Sequence, residues 1–407
     1  MPGMTRTAHA RGSRSTAPRR CSARAVAARA ATTLLSVLLL AAAAVLGAVA
    51  GSGRGAGAAE PTRWAVATVQ CTRPTPTTAA GYQRMFDSLY GVWAGGDQAL
   101  SVALPGGRTL WIFADTISAR RSATGGYARG LRMRHNSFVI QNRGCLTPVD
   151  STPLPDIDPT HWYWPNSAIV SGGRLYIFAM RVRHNSTGWG GFSTYGASVA
   201  TFSLPRTGVP RLQAVASLPA GNSDGSILWG AGVVAHDPWV YVYGTQGVPI
   251  AQGAGRRMLV ARVPAVRLGD PHALQFYGPG AFNPAAASAR PVIAARGGVS
   301  TSVSVLPAAG GGVTVVSKRS EVFGRYVAEW TAPTPAGPFT LANATLLSAP
   351  SLTRPGELLY TPQTHRESRL AGGALLVTIC RNNTVFKTLQ ANGLLYRPQF
   401  AAVPQPR

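Results

Sequence analysis

Residues 97–116 read DQALSVALPGGRTLWIFADT and carry the clearest structural signal in the chain. Two apolar runs, Ala99–Leu104 and Thr109–Asp115, flank the turn at Gly106–Gly107, and short apolar runs joined by such a turn are typical of a β-hairpin. The second run is apolar on both faces, as Leu110–Phe113 shows, which indicates a strand packed between two other layers. The segment therefore predicts a hairpin inside a stack of sheets.

The same hairpin pattern recurs four more times along the chain. Successive turn residues are 66, 65, 74 and 61 positions apart; they are Gly107, Gly173, Pro238, Gly312 and Gly373. A third apolar run follows each hairpin, at Ser137–Gln141, Ala197–Phe202, Met258–Val263, Arg325–Trp330 and Gly393–Arg397. Five near-equal sheet units predict an all-β fold, a five-bladed β-propeller over residues 82–407. Two unrelated β-sandwich domains are the alternative, which explains the regular interval poorly.

Residues 1–58 predict an export signal. Seven arginines and no acidic residue precede the apolar run Ala30–Ala50, and Ala56–Ala58 fits a small-residue cleavage site. A retained membrane anchor is the alternative, because a membrane span needs about 20 apolar residues. Residues 59–81 are then a linker, in which Trp64–Val69 is a candidate outer strand that closes the ring at the last blade. We expect a secreted, cell-surface or periplasmic protein.

The charge of the chain is strongly basic. Eight of the 39 basic residues lie before residue 59, which leaves 31 basic and 14 acidic residues and a net charge of +17 beyond it. Such an excess favours anionic partners. The charges are scattered and form neither a basic helix nor a nucleic-acid-binding motif, so a cell-envelope polymer is a better expected partner than nucleic acid.

Three cysteines remain beyond the export signal, Cys71, Cys145 and Cys380. Export permits a disulfide bond, but three cysteines allow one bridge and one leftover thiol. Cys380 lies inside an apolar run that is typical of a core strand, which favours a bridge between Cys71 and Cys145 without excluding the other pairings. None of the spacings resembles a zinc site, and we expect no metal and no cofactor.

Two aspartates, Asp97 and Asp115, flank the first hairpin. The start of the first strand and the end of the second lie at the same end of an antiparallel pair, so the two carboxyl groups should be neighbours at one mouth of the central channel. Glycoside hydrolysis needs such a pair, one carboxyl acting as acid and the other as base or nucleophile. Each aspartate taken alone is equally well explained as a turn or strand-end residue.

Further polar and aromatic residues are expected at the same mouth. Trp and Tyr can pack on the apolar faces of sugar rings, although aromatic residues also pack between blades. The candidate substrate-binding residues are His135, Asn136, Trp162, Trp164, Asn166, Arg181, Trp229, Lys318, His365 and Glu367.

These segments together resemble a known family. They are Gly95–Asp97, Trp111–Thr116, His135–Ser137, Trp162–Pro165, Trp229–Gly230 and Tyr241–Thr245. The chain from about Tyr82 onward is similar to a family of secreted actinobacterial five-bladed propellers that includes endo-D-arabinanases acting on mycobacterial-type arabinogalactan and lipoarabinomannan. In that family the two aspartates of the first blade are the catalytic pair, and Asp97 and Asp115 match them. The last blade departs from the family, which reads His-Pro-Glu where this chain has His365-Arg366-Glu367.

The resemblance and the residues together predict a secreted, monomeric glycoside hydrolase that cuts arabinan in the cell envelope. A non-catalytic glycan-binding propeller at the cell surface is the alternative from another class. A scaffold that holds anionic envelope polymers by charge is a third hypothesis.

Overall fold

The computed structural model describes residues 70–71, 74–185, 191–219, 227–249, 251, 254–321, 324–346 and 356–405. The expected export signal at 1–58 and the candidate ring-closing strand Trp64–Val69 lie outside these residues.

The predicted all-β fold is confirmed. The strands up to residue 150 are β1 (Gln70–Cys71), β2 (Gly91–Gly96), β3 (Leu100–Leu104), β4 (Arg108–Phe113), β5 (Thr116–Ala119), β6 (Arg132–Arg134), β7 (Ser137–Asn142) and β8 (Cys145–Pro148). They form a first sheet in the order β1-β8-β7-β4-β3 and a small separate sheet in the order β2-β5-β6.

Four more sheets follow along the chain, each built from consecutive strands. The second contains β9 (His161–Ser171), β10 (Arg174–His184), β11 (Phe192–Ser203) and β12 (Arg211–Ser217). The third contains β13 (Leu228–His236), β14 (Trp239–Gln246), β15 (Arg257–Pro264), β16 (Gln275–Tyr277) and β17 (Phe282–Asn283). The fourth contains β18 (Ser304–Pro307), β19 (Val313–Arg319), β20 (Tyr326–Ala332) and β21 (Thr340–Leu346). The fifth contains β22 (Glu357–Arg369), β23 (Leu375–Asn383) and β24 (Pro398–Val403).

One strand from each of the five large sheets contacts the corresponding strand of the next sheet, and these contacts form a closed cycle. β3 packs against β9, β9 against β13, β13 against β18, β18 against β22, and β22 returns to β3. A cavity of about 340 Å³ is lined by all five strands, including Val102, Ile169, Val234, Val305 and Gln363. The sheets therefore surround a common axis, and each contributes one inner strand to it.

The five predicted hairpins are all present as antiparallel strand pairs. The predicted third strand of the last unit is wrong. Gly393–Tyr396 forms a short 3₁₀ turn, whose first N–H groups are capped by Asn392 through a bond from Leu394 N to Asn392 Oδ1. The strand that pairs with β23 is β24, which begins only at Pro398.

No helix is predicted from the sequence, but the described residues contain two short ones, α1 (Ala79–Asp87) and α2 (Phe386–Ala391). Thr78 caps α1 by accepting a hydrogen bond from Gly81 N. Tyr82, Met85 and Phe86 form its buried face, at the spacing of three and four residues that one side of a helix requires. The helix has only nine residues, too few for a strong periodic signal.

α1 packs against β24, so the segment that precedes β2 lies on the last sheet. Arg397, which is 1% exposed, joins the two regions by donating hydrogen bonds to the main-chain oxygens of Phe86 and Leu89. Phe86 lies in the last turn of α1 and Leu89 just beyond its end, and Phe86 O also accepts from Leu89 N at 3.1 Å.

The residues next to the candidate ring-closing segment pair with the first sheet. β1 lies beside β8 at its outer edge, and Cys71 forms a disulfide with Cys145 across this pair, as the sequence favoured. Cys380 is a buried free thiol. Within the described residues, no helix has the length and apolar character needed to cross a membrane.

The disulfide closes a loop of 74 residues, and it should stabilise the fold by restricting the unfolded chain. We expect the double variant Cys71→Ser/Cys145→Ser to lose about 2–4 kcal/mol in free energy of unfolding, measured by urea denaturation without reductant. A reducing agent should destabilise the wild type and leave the double variant unchanged. Equal denaturation midpoints for wild type and variant would contradict the prediction.

Candidate active site

The main chain holds Asp97 and Asp115 next to each other. Asp97 N donates to Asp115 O at 3.3 Å, and Ala114 N donates to Asp97 O at 3.1 Å. On the outer side of this contact Gly96 pairs with Thr116, where the small sheet begins. The sequence argument from the antiparallel hairpin thus placed the two aspartates correctly at one end of the first sheet.

The main chain two residues before Asp97 requires a glycine, Gly95. A Cβ atom at Gly95 would lie 2.5 Å from both the main-chain oxygen of Tyr396 and the hydroxyl of Tyr127. Gly95 lies on β2, and any side chain there would push the turn Gly393–Tyr396 away from this strand. Gly95 therefore lets the turn that carries Tyr396 come close to the aspartates.

Asp97 receives its hydrogen bond from the fifth sheet. Tyr360, on β22, donates its hydroxyl proton to Asp97 Oδ2 at 2.7 Å. Asp97 Oδ1 is inaccessible to solvent and has no hydrogen-bond partner among the residues that the structure describes. The Asp97 side chain is half-buried. One oxygen of this carboxyl is therefore held and the other is unsatisfied.

Asp115 receives its hydrogen bond from the second sheet. Trp164, on β9, donates its indole N–H to Asp115 Oδ1 at 2.6 Å. The hydroxyl of Tyr396 donates to the main-chain oxygen of Asp115 at 3.0 Å. Asp115 is only 4% exposed. The two carboxyl groups are thus adjacent but are bound by different sheets.

Their surroundings raise the pKa of both carboxyl groups. Burial raises the pKa of Asp97 to about 7, and repulsion from Asp115 adds to the effect, while the nearby hydroxyls of Tyr360 and Tyr396 lower it. Burial also raises the pKa of Asp115 to about 6, while the electrostatic influence of His135 and the bond from Trp164 lower it. Because the two groups interact, they titrate as a pair, and the pair can carry one proton near neutral pH.

Of the three tryptophans predicted to line sugar subsites, only Trp164 is half-buried beside the aspartates. Trp162 is 3% exposed and stacks on the His135 ring at 4.3 Å between centroids, so its contact is with His135. Trp229 is 1% exposed and packs on Phe276 at 5.1 Å in the core between sheets. Its burial corrects the prediction that Trp229 contacts a sugar.

His135 is half-buried and close to Asp115, and its Nδ1 contacts Asp156 Oδ1 at 2.9 Å. Its neighbour Asn136 is 1% exposed. The Asn136 amide accepts from Leu154 N at 2.9 Å and donates to Leu154 O at 2.8 Å. The predicted substrate contact of Asn136 is therefore corrected, because its amide is used to hold the loop around Leu154.

Asn166 is also a structural residue, since it is 1% exposed. Gln98 Nε2 donates to Asn166 Oδ1 at 3.0 Å and to Ser302 Oγ at 2.8 Å. Ser302 also donates to Asn166 Oδ1. These three residues, the polar hub, come from the first, second and fourth units and join them across the axis. The prediction that Asn166 contacts substrate is corrected by this burial.

The two predicted cationic residues occupy different environments. Arg181 is half-buried, donates to Ser217 Oγ at 2.8 Å and lies 4.4 Å above the ring of Tyr195. Lys318 is 1% exposed and donates to the main-chain oxygen of Leu359. Burial lowers the pKa of Lys318 to about 8. Lys318 therefore joins the fourth and fifth sheets and is not available to a glycan in this structure.

His365 and Glu367 lie along the inner strand β22 and not at its start. His365 is fully buried, with Nδ1 2.5 Å from Ser101 Oγ and Nε2 2.8 Å from Thr378 Oγ1. Burial lowers the pKa of His365 to about 3, so its imidazole is neutral. Glu367 lines the central cavity and accepts a bond from Ser101. Both therefore lie on the first strand of the last unit, as predicted, and their side chains contact Ser101 of the first sheet.

The sequence analysis missed Tyr360 and Tyr396, the two hydroxyl groups closest to the pair. Tyr360 lies within a strand, and Tyr396 within the turn that was predicted to be a strand. Only the closure of the ring brings them to Asp97 and Asp115, which are over 240 positions earlier in the chain. Across the described ranges, no cluster of three or more His, Cys, Asp or Glu residues could hold a metal ion.

The sequence and the fold were compared with known proteins. The family model described as Domain of unknown function (DUF5005) matches residues 80–405. A candidate hydrolase from Bacteroides ovatus ATCC 8483 has a TM-score of 0.59 at 17% sequence identity, covering 86% of this chain and 97% of that chain. This likeness shows that the fold occurs in a solved structure. No curated protein matches the sequence.

Two further solved structures are glycoside hydrolases with lower scores. A family 117 glycoside hydrolase from the marine bacterium Zobellia galactanivorans has a TM-score of 0.46 at 10% identity, covering 77% of this chain and 84% of that chain. A family 43 β-xylosidase/α-arabinofuranosidase from a compost microbial metagenome has a TM-score of 0.46 at 11% identity, covering 83% and 96%.

The raised pKa of Asp97 should make stability depend on pH. The folded protein binds this proton more tightly than the unfolded chain, so wild-type stability should fall as the pH rises from about 4 to about 7. Asp97→Asn removes the charge, so we expect the variant to be at least about 1.4 kcal/mol more stable than wild type at about pH 8 and equal to it at about pH 4. Denaturant unfolding at several pH values measures the difference.

The matched control is Asp237→Asn, because its carboxylate is exposed on the turn between β13 and β14. If this variant and Asp97→Asn gain the same stability at high pH, general charge loss and not the burial of Asp97 is responsible.

Proposed function

The chain belongs to the family described as Domain of unknown function (DUF5005), and we propose that it is a secreted glycoside hydrolase that uses Asp97 and Asp115 to cleave a cell-envelope arabinan internally. One observation carries the proposal. Two aspartates have adjoining main chains at one end of the first sheet, burial raises the pKa of both, and each carboxyl group accepts a hydrogen bond from a different sheet. Such environments are typical of acid–base pairs in active sites.

The chemistry follows from what the pair can hold. Glycoside cleavage needs one carboxyl group to protonate the leaving oxygen and one carboxylate to activate water or to attack the sugar. Burial raises the pKa of both aspartates, so protonated and ionised forms of the pair are present together near neutral pH. We infer that Asp97 and Asp115 share one proton, and we assign the role of general acid to neither of them alone.

The proposed architecture is a five-bladed propeller whose site lies at one mouth of the central channel. The closed cycle of inner strands β3, β9, β13, β18 and β22 supports this description. The beginnings of these strands converge where Asp97 contacts Tyr360 and Asp115 contacts Trp164. A ring of strand starts provides a concave surface of the kind that binding sites use.

A glycan is the proposed substrate because Trp164 is half-buried beside the pair. It lies against Phe192 at 4.7 Å between ring centroids, which holds its indole in place while part of its surface remains available. The resemblance of Gly95–Asp97 and Trp111–Thr116 to endo-D-arabinanases favours arabinan. The net charge of +17 beyond the leader favours retention near anionic envelope polymers.

Secretion is proposed from residues 1–58 and is supported by the Cys71–Cys145 disulfide. Disulfide bonds persist in oxidising compartments and are rare in the cytosol. The proposed partners are the polysaccharide substrate alone, with no nucleic acid, no cofactor and a monomeric chain. A membrane association would arise only from a retained leader.

We expect the purified mature chain to release arabino-oligosaccharides from arabinogalactan. Asp97→Asn and Asp115→Asn should each lower kcat by about 10²–10⁴-fold, because each removes one half of the acid–base pair. Chromatography of the released sugars measures the effect. Circular dichroism should show that both variants remain folded.

The control is again Asp237→Asn, which removes an exposed carboxylate on the turn between β13 and β14 and should retain wild-type activity. A wild type that binds arabinan but releases nothing from a panel of glycans would replace the enzyme by the non-catalytic binding propeller. Binding that disappears with added salt, again without cleavage, would favour the charge-based scaffold.

A further inference from the structure

The side-chain amide of Asn382 has a defined orientation. Asn383 N donates to Asn382 Oδ1 at 2.7 Å. A main-chain N–H group can only donate, so the atom that faces it must be the amide oxygen. Asn382 is 1% exposed, and its amide nitrogen must therefore point to the opposite side, toward the protein interior.

The orientation of Asn382 in turn fixes the hydroxyl of Tyr360. Asn382 Nδ2 donates to Tyr360 Oη at 3.2 Å, and an amide nitrogen can only donate. The hydroxyl therefore accepts from Asn382, and its single proton is directed elsewhere. Asp97 Oδ2 lies 2.7 Å away and takes that proton in a hydrogen bond. The three groups form a relay with one direction, from the Asn383 main chain to Asp97.

We propose that Asn382 and Tyr360 are positioning residues that orient a hydroxyl proton toward Asp97 and so hold its carboxylate ionisable in a buried site. The effect opposes two others, since burial and repulsion from Asp115 both favour the neutral carboxyl. A hydrogen bond to a carboxylate stabilises the charged form. Without the relay, Asp97 would stay protonated to higher pH.

The relay serves Asp97 and not Asp115. Asp115 is bound by the indole of Trp164 from the second sheet, whereas Tyr360 and Asn382 lie on β22 and β23 of the fifth sheet. The fifth unit therefore binds the carboxyl group of Asp97 directly, whereas it contacts Asp115 through its main-chain oxygen, which accepts from Tyr396. This asymmetry is the means by which two adjacent carboxyl groups can be given different proton affinities.

The first test needs no substrate. ¹³C NMR, with the Asp97 signal assigned from its loss in Asp97→Asn, follows the titration of this carboxyl in the full-length mature chain. Tyr360→Phe removes the hydroxyl with little change in shape and should move the Asp97 titration upward by about 1–2 pH units. Tyr243→Phe is the matched control, because Tyr243 lies on β14 of the third sheet and its buried hydroxyl donates to Pro335 O, between β20 and β21. It should leave the titration unchanged.

The direction of the relay is tested at Asn382. Asn382→Asp places an acceptor oxygen where the amide nitrogen was, so the hydroxyl of Tyr360 should turn away from Asp97 and the titration should rise at least as far as in Tyr360→Phe. Asn382→Leu removes the donor but leaves the hydroxyl free to bind Asp97, so its upward shift should be smaller. The direct effect of the added charge is measured by making Asn382→Asp in the Tyr360→Phe background.

An unchanged Asp97 titration in Tyr360→Phe would overturn the proposal, as would equal shifts in Asn382→Asp and Asn382→Leu. Only the catalytic consequence rests on the proposed function. With a cleaved glycan, Tyr360→Phe should move one limb of the kcat/KM profile to higher pH, the basic limb if Asp97 is the acid and the acidic limb if it acts ionised. A loss of activity with both limbs unmoved would contradict the relay, whereas a failure to cleave any glycan contradicts only the proposed function.

Discussion

The closure of the ring is the constraint on which the site depends. Each inner strand packs between two others, and the cycle is completed when β22 of the last sheet meets β3 of the first. Arg397 secures the same junction by binding the carbonyl groups at the end of α1. This contact brings Tyr360 to Asp97, so two residues 263 positions apart form the site only in the closed ring.

The site uses burial to change the chemistry of ordinary carboxyl groups. The chain has 14 acidic residues, and two of them, Asp97 and Asp115, lie on adjoining stretches of main chain where burial raises the pKa of both. The cost of charging them is offset on one side by Tyr360 and on the other by Trp164. A structural role alone would not require two adjacent carboxyl groups with one oxygen left unsatisfied, which is a feature expected at functional sites.

The sequence was most informative where local geometry decides the outcome. The five hairpins and the meeting of Asp97 with Asp115 both follow from antiparallel pairing, which needs only the turn position and the strand pattern. The sequence was least informative about which face of an inner strand a side chain occupies. Trp164 and Trp229 both lie near the start of an inner strand, yet one contacts Asp115 and the other lies in the core. The sequence around Tyr360 gave no indication of a functional role, because that role depends on a contact between the first and the fifth sheets.

The most direct test of the account is the structure of Asp97→Asn with an arabino-oligosaccharide bound. The substitution should slow cleavage enough to trap the sugar without removing the bond from Tyr360. We expect one glycosidic oxygen to lie about 3 Å from the side chain at position 97 or 115, with the other side chain facing the same sugar ring. A sugar bound with neither side chain within reach of a glycosidic bond would contradict the assignment of this pair to hydrolysis.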